Sequence, residues 1–136
     1  MFCNAKIEEV ESFSLSRHGG DMQLSDNFIL RDFACKDGSD EVRVHPNLVV
    51  MLQMIRDHFG APVSISSAYR TESYNAKIGG AKNSAHKKGM AADIRVKGVK
   101  PAEVAEYADY LGAGGIGRYH TFTHVDVWGA MRRWKG

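Results

Sequence analysis

The sequence predicts an α+β fold of short strands and flanking helices, and three observations carry that expectation. Two segments, "VHPNLVVMLQMIRDHFG" and "KPAEVAEYADYLGAGG", repeat apolar residues at helical spacing. One segment, "PVSISSAYR", alternates apolar and small polar residues at the period of a strand. The end of the chain, "GGIGRYHTFTHVDVWG", follows glycines with β-branched and aromatic residues, which pack well on a pleated surface.

Residues 1–22 lack a clean period and end in "RHGGD", so they read as an arm or irregular lead-in, with a single domain expected over 23–136. In the first helical segment Leu48, Leu52, Ile55 and Phe59 share one face, Pro46 suits the first turn and Gly60 the stop. The strand that follows contains Val63 and Ile65 and is expected to lead to an exposed end at Tyr69 and Arg70. "TESYNAKIGG" then reads as a short helix, with Thr71 as N-cap and the glycine pair as terminator. In the second long helix Val104, Tyr107, Ala108 and Leu111 share a face, and Pro101 sits near its start. One or two strands close the chain, and the basic "RRWKG" reads as a solvated tail.

Composition narrows the function classes. With 136 residues the chain can bury a core without disulfides or a structural metal, so any metal is expected to be functional. A formal net charge of +2 does not mark a nucleic-acid binder. Lys6, Glu8, Glu9 and Glu11 interrupt the start of the chain, which leaves no apolar signal-peptide core and no membrane-inserting span there. Cys3 and Cys35 have no paired ligand spacing and read as free thiols; no nucleophile signature surrounds Cys35.

The chemistry concentrates in "NSAHKKGMAADIRV". On one continuous helix His86 and Asp93 would lie about 10.5 Å apart along the axis, at roughly 1.5 Å per residue, too far to share one ion. A chain that reverses at Gly89 and enters a strand at "AADIRV" lets them converge. Along the last strand His120, Phe122, His124, Asp126 and Trp128 occupy alternate positions and so one face. His124 and Asp126, about 6.6 Å apart along it, can serve one site as ligand and neighbouring carboxylate. Two histidines and a carboxylate with a fourth position open is the donor set of a catalytic zinc, which supports hydrolysis of an amide. Of the six histidines, His18, His45 and His58 have no comparable surroundings.

Ser84, His86, Gly89, Ala91 and Asp93 form S-x-H-x-x-G-x-A-x-D, which resembles the motif of the zinc D-Ala-D-Ala carboxypeptidases and related peptidoglycan endopeptidases. "SSAYRTESYN" is similar to that family's strand-end Arg motif, and "GGIGRYHTFTHVDVWG" to its closing Gly-rich and H-x-D strand, in matching order over roughly Leu24 to Trp134. The resemblance implies the fold shared with hedgehog signalling domains, a small antiparallel sheet flanked by helices with Zn2+ on its face. It implies cleavage of peptide bonds in bacterial cell-wall stem peptides, with His86, Asp93 and His124 as ligands. Arg70 would then face substrate, as carboxylate clamp or oxyanion donor, and Ser84 would hydrogen-bond in the same site.

Better-known relatives place a Glu three residues, or a His two residues, before the last ligand as general base, where this chain has Thr121 and Phe122. Asp126 is the first candidate for that role and His120 the second, with Asp126 alternatively orienting the His124 ring. The resulting expectation is a monomeric zinc metallopeptidase of peptidoglycan, a D-Ala-D-Ala carboxypeptidase or an L,D- or D,D-endopeptidase. An inactive zinc-containing wall-binding module is the alternative. Made in the cytoplasm without a signal peptide, such a hydrolase would reach the wall by another route, such as phage-type release, or belong to a phage particle.

Overall fold

The computed structural model describes residues 1–136. A 3-10 turn at Ile7–Glu9 precedes strand β1 (Glu11–Ser14), helix α1 (Leu15–His18), strands β2 (Gln23–Ser25) and β3 (Phe28–Ile29), and a second 3-10 turn, Leu30–Phe33. Strand β4 (Glu41–Val44) leads into helix α2 (Pro46–Phe59), strand β5 (Val63–Ser67) and helix α3 (Glu72–Lys77). After a third 3-10 turn, Ala85–Lys88, come β6 (Ala91–Val96), α4 (Pro101–Tyr110), β7 (Gly115–Arg118), β8 (Thr123–Asp126) and β9 (Arg132–Lys135). The fold is α+β, with four helices, a five-stranded sheet in the order β5-β6-β8-β7-β9, and two-stranded ribbons β1-β4 and β2-β3.

Helix α2 forms where the apolar spacing places it. Its buried face is Leu48, Val49, Met51, Leu52 and Ile55, and Gly60 ends it in the left-handed conformation. His45 is the N-cap: its Nδ1 accepts the Asn47 backbone N–H at 3.0 Å, so Nε2 carries the proton that reaches the Lys6 carbonyl at 3.1 Å. Thr71 caps α3 by accepting from the Tyr74 N–H. Ala92, Ile94 and Val96 of β6 enter one core with Val125, Ile116 and the inner faces of α2 and α4. Because side chains alternate, Asp93 between Ala92 and Ile94 must point to the opposite face of the sheet.

Four features depart from the sequence reading. The sheet is mixed, because β9 runs parallel to β7 at its edge. The supposed solvated tail "RRWKG" is that strand, with Arg132 and Trp134 half-buried. The end of β5 is not exposed: Tyr69 is buried, its N–H bonded to the Phe33 carbonyl, and the Arg70 side chain is only 14% exposed. Residues 1–22 hold regular structure, β1 lying against β4 with Phe13 opposite Val42. The first residues are bonded along the far end of the chain, Asn4 N–H to the Gly129 carbonyl and Ala5 N–H to the Val127 carbonyl.

Candidate active site

Register places the reactive groups. In the β6-β8 pair Asp93 stands opposite His124, and Ala91 opposite Asp126. Directly opposed residues have Cβ atoms about 4.5–5.5 Å apart, so Asp93, His124 and Asp126 lie together on the face away from the core. His86 is delivered by the 3-10 turn, whose N-cap Ser84 accepts the His86 backbone N–H at 3.2 Å. Gly89 closes that turn at φ +73°, and a Cβ there would meet the Arg43 carbonyl oxygen at 2.6 Å. The reversal expected at this glycine is therefore enforced by conformation and by space.

His86, Asp93 and His124 are all buried, and one donor atom from each lies within 4.8 Å of the others. Asp93 Oδ1 is 3.3 Å from His86 Nε2 and 3.1 Å from His124 Nδ1. A tetrahedral ion with bonds of about 2.0–2.1 Å needs donors about 3.3 Å apart, so the residues present fit zinc. The atom of each group turned away from this point is also held. His86 Nδ1 donates to the Ala68 carbonyl at 2.8 Å, which leaves the Nε2 lone pair facing Asp93. Asp93 Oδ2 accepts from Arg70 Nη2 at 3.4 Å, and His124 Nε2 meets Asp126 Oδ2 at 2.8 Å.

Burial alone would raise the pKa of Asp93, but hydrogen bonds from His124 and His86, and the charge of those rings, hold it well below the usual carboxylate range. Asp126 is lowered in the same way, burial being outweighed by His124 and by Arg132. Burial would lower His124; its bonds to Asp126 and Asp93 prevail and raise it. Both nitrogens of that ring face carboxylates.

These groups open into a cleft of about 340 Å³. Arg70, Ser84 and Asp126 line it; His120 does not. The Tyr119 N–H bonds to the Phe122 carbonyl at 3.1 Å, closing a tight turn that leaves His120 exposed, and β8 begins only at Thr123. The alternation that linked His120 to His124 is broken by that turn. Asp126 is 1% exposed and lies on the far side of the His124 ring from Asp93. Its Oδ1 accepts from the Gly115 and Trp128 N–H groups and from Arg132 Nη2 at 2.7 Å. Arg70 is likewise engaged, Nε to Ser67 Oγ at 3.0 Å and Nη1 to Asn75 Oδ1 at 3.3 Å.

Sequence reasoning missed Asn75, Arg132 and Trp134. Asn75 is buried, and its Nδ2 donates to the Ala81 carbonyl, tying Arg70 to the loop that rims the cleft. Trp134 packs on His124 with ring centres 5.0 Å apart and donates Nε1–H to the Tyr119 hydroxyl at 2.9 Å. The glycines before β8 were the available signal. A Cβ at Gly115 would meet Asp126 Oδ2 at 2.2 Å, and one at Gly117 would meet Trp134 Nε1 at 2.5 Å. Cys3 and Cys35 are free, and the Cys35 sulfur faces the Thr71 hydroxyl at 4.0 Å. No helix is long and apolar enough to cross a membrane.

Comparison with known proteins places relatives beside this geometry. The family model described as Peptidase M15 matches residues 22–126. The chain is 37% identical over 120 residues to the probable peptidoglycan L,D-endopeptidase MepK of Haemophilus influenzae, a match covering 81% of this chain and 62% of that protein. It is 32% identical over 100 residues to the peptidoglycan L,D-endopeptidase MepK of Escherichia coli K12, covering 67% of this chain and 54% of that one. The match thus spans little more than half the length of these relatives.

Proposed function

The chain belongs to the peptidase M15 family, and on that premise we propose that it is a zinc-dependent endopeptidase of peptidoglycan stem peptides. The observation that carries this reading is the convergence of His86 Nε2, Asp93 Oδ1 and His124 Nδ1, each backed by a hydrogen bond on its opposite side. Bound there, zinc would act as a Lewis acid on the scissile carbonyl and lower the pKa of water towards neutrality.

The residues around the ligands have separable tasks. Arg70 has five N–H donors, of which three are engaged by Ser67, Asn75 and Asp93, so two remain for a substrate carboxylate or the developing oxyanion. Asp126 accepts from His124 on one oxygen and from three donors on the other, which suits orienting the ring rather than taking a proton from water. Ser84 fixes the turn that carries His86. Tyr119, Phe122, Trp128 and Trp134 give the cleft an aromatic wall along which an extended peptide can lie.

An L,D bond in the cross-linked wall is the favoured target, following the names of the MepK relatives, with D-Ala-D-Ala the competing one. The site of action is the cell wall, and the working unit a monomer. A second reading, a zinc-containing wall-binding module without activity, rests on one observation: besides the ligands and Asp126, the cleft is lined by no carboxylate or imidazole.

Mass spectrometry of products from purified peptidoglycan, with wild type and His124→Ala, tests these readings together. New L,D-cleaved fragments from wild type alone support the proposal. Release of terminal D-Ala would identify a carboxypeptidase instead, and an uncleaved wall that still retains the protein would identify the binding module.

A further inference from the structure

The strand β9 lies beyond residues 22–126, the part matched by the family model, yet it reaches the back of the site. We infer that Arg132 is a positioning residue of the metal site, acting through Asp126 on the orientation of His124. The inference rests on the zinc-peptidase reading and extends it to a side chain outside the donor set, bonded to Asp126.

The chain of contacts is continuous. Arg132 Nη2 donates to Asp126 Oδ1 at 2.7 Å and also to the Trp128 carbonyl, and Nε donates to the Ala130 carbonyl at 3.2 Å. The guanidinium is thus anchored to the backbone of the β8-β9 loop on one side and to the carboxylate on the other. Its carbon lies 5.3 Å from the centre of the Trp128 ring, a second restraint on its plane. Asp126 in turn places Oδ2 at 2.8 Å from His124 Nε2, and the opposite ring nitrogen then faces Asp93 Oδ1 at 3.1 Å. Rotation of the Asp126 carboxylate would turn the imidazole and move Nδ1 away from the point where the three donors meet.

The backbone is shaped around this relay. The β9 strand is held by the Arg132 N–H on the Gly114 carbonyl at 2.7 Å. A Cβ at Gly115 would stand 2.2 Å from Asp126 Oδ2 and 3.0 Å from Arg132 Nη2, so a side chain there would displace the carboxylate. Two backbone N–H groups already satisfy Oδ1, so Arg132 adds charge and direction to a carboxylate that is nearly inaccessible to water. Partners of this kind behind a metal-ligating imidazole typically contribute about 10- to 100-fold in metal affinity.

The test uses the full chain, stripped of metal, with zinc itself as the probe in competition against a chromophoric chelator. Arg132→Met should bind zinc about 10-fold or more weakly, while its far-UV circular dichroism matches wild type. Asp126→Asn should show a loss of similar size. The Arg132→Met/Asp126→Asn double variant should be no weaker than Asp126→Asn alone, because the guanidinium acts only through that carboxylate. Losses that multiply in the double variant would overturn the inference, as would undiminished affinity in Arg132→Met. Should Arg132→Met fail to fold, Arg132→Lys carries the test: it keeps a cation but cannot span the carboxylate and the Trp128 carbonyl together, and wild-type affinity in it overturns the inference. A wild-type chain that takes up no zinc overturns the metallopeptidase reading and this inference with it, whereas normal uptake with an indifferent Arg132 removes only the latter.

Discussion

Arg70 is the single side chain that would join substrate chemistry to the proposed metal site. Its planar fork spans Ser67, Asn75 and Asp93 at once, which an ammonium on a flexible stem cannot do. Arg70→Lys is expected to lower kcat about 10²-fold, the scale of losing one oxyanion donor, with zinc stoichiometry kept. Unchanged turnover would assign Arg70 to structure alone. Asp126→Asn separates two roles: an orienting carboxylate loses zinc affinity about 10- to 100-fold, whereas a general base loses turnover about 10²- to 10⁴-fold with zinc retained. Steady-state kinetics at saturating zinc, beside the chelator titration, decides between them. His86, Asp93 and His124 were legible in the sequence because Gly89 marked the reversal and residue alternation marked the strand face. His120 was misplaced for a local reason, a tight turn closed by Tyr119 and Phe122 that no strand period reveals. Arg132 and Trp134 were not legible because the parallel pairing of β9 with β7 fixes where they sit, and that pairing leaves no periodic pattern in the sequence.

Among the elements, α2, β5, α3, β6 and α4 could be read from periodicity and caps, since each is decided by neighbours in sequence. The β1-β4 ribbon could not: its stability comes from side chains 26 and 29 residues apart, Ser14 on Asp40 and Ser12 on Glu41. These hydroxyls, with the Ser16 N–H on Asp40, hold both carboxyls below their ordinary pKa. Asp37 is held lower still, chiefly by Ser39 and then by Thr71 at the cap of α3. A depressed carboxyl stabilises the fold above its unfolded pKa, roughly 4, and that contribution disappears as pH falls through the folded value. Acid is therefore expected to loosen the ribbon first, and the Asp37 loop only at lower pH. Amide hydrogen exchange at pH 3 against pH 6, corrected for intrinsic rates, should show protection lost at Glu11–Ser14 and kept at Ala91–Val96. Parallel loss in both segments would contradict the assignment.

At the scale of the whole molecule, one cluster of 23 buried apolar residues holds helices and sheet together without a disulfide. Removal of zinc by a chelator is expected to abolish activity while the circular dichroism spectrum persists, with the melting midpoint falling only by the lost binding energy, which grows as RT ln(1 + [L]/Kd). Collapse of the spectrum on chelation would make the metal structural. The contacts of residues 2–5 have a further consequence, which concerns synthesis. Phe2 bonds to Leu111, Gly112 and Gly114, Asn4 to Gly129 and Ala5 to Val127, so residues 2–5 have partners far along the chain. The cleft likewise takes groups from Arg70 through Trp134. At about 5–20 residues per second, a ribosome needs seconds to make the stretch that separates residues 2–5 from these partners. The cleft therefore stays incomplete until β9 has been made, and its geometry is assembled late in synthesis.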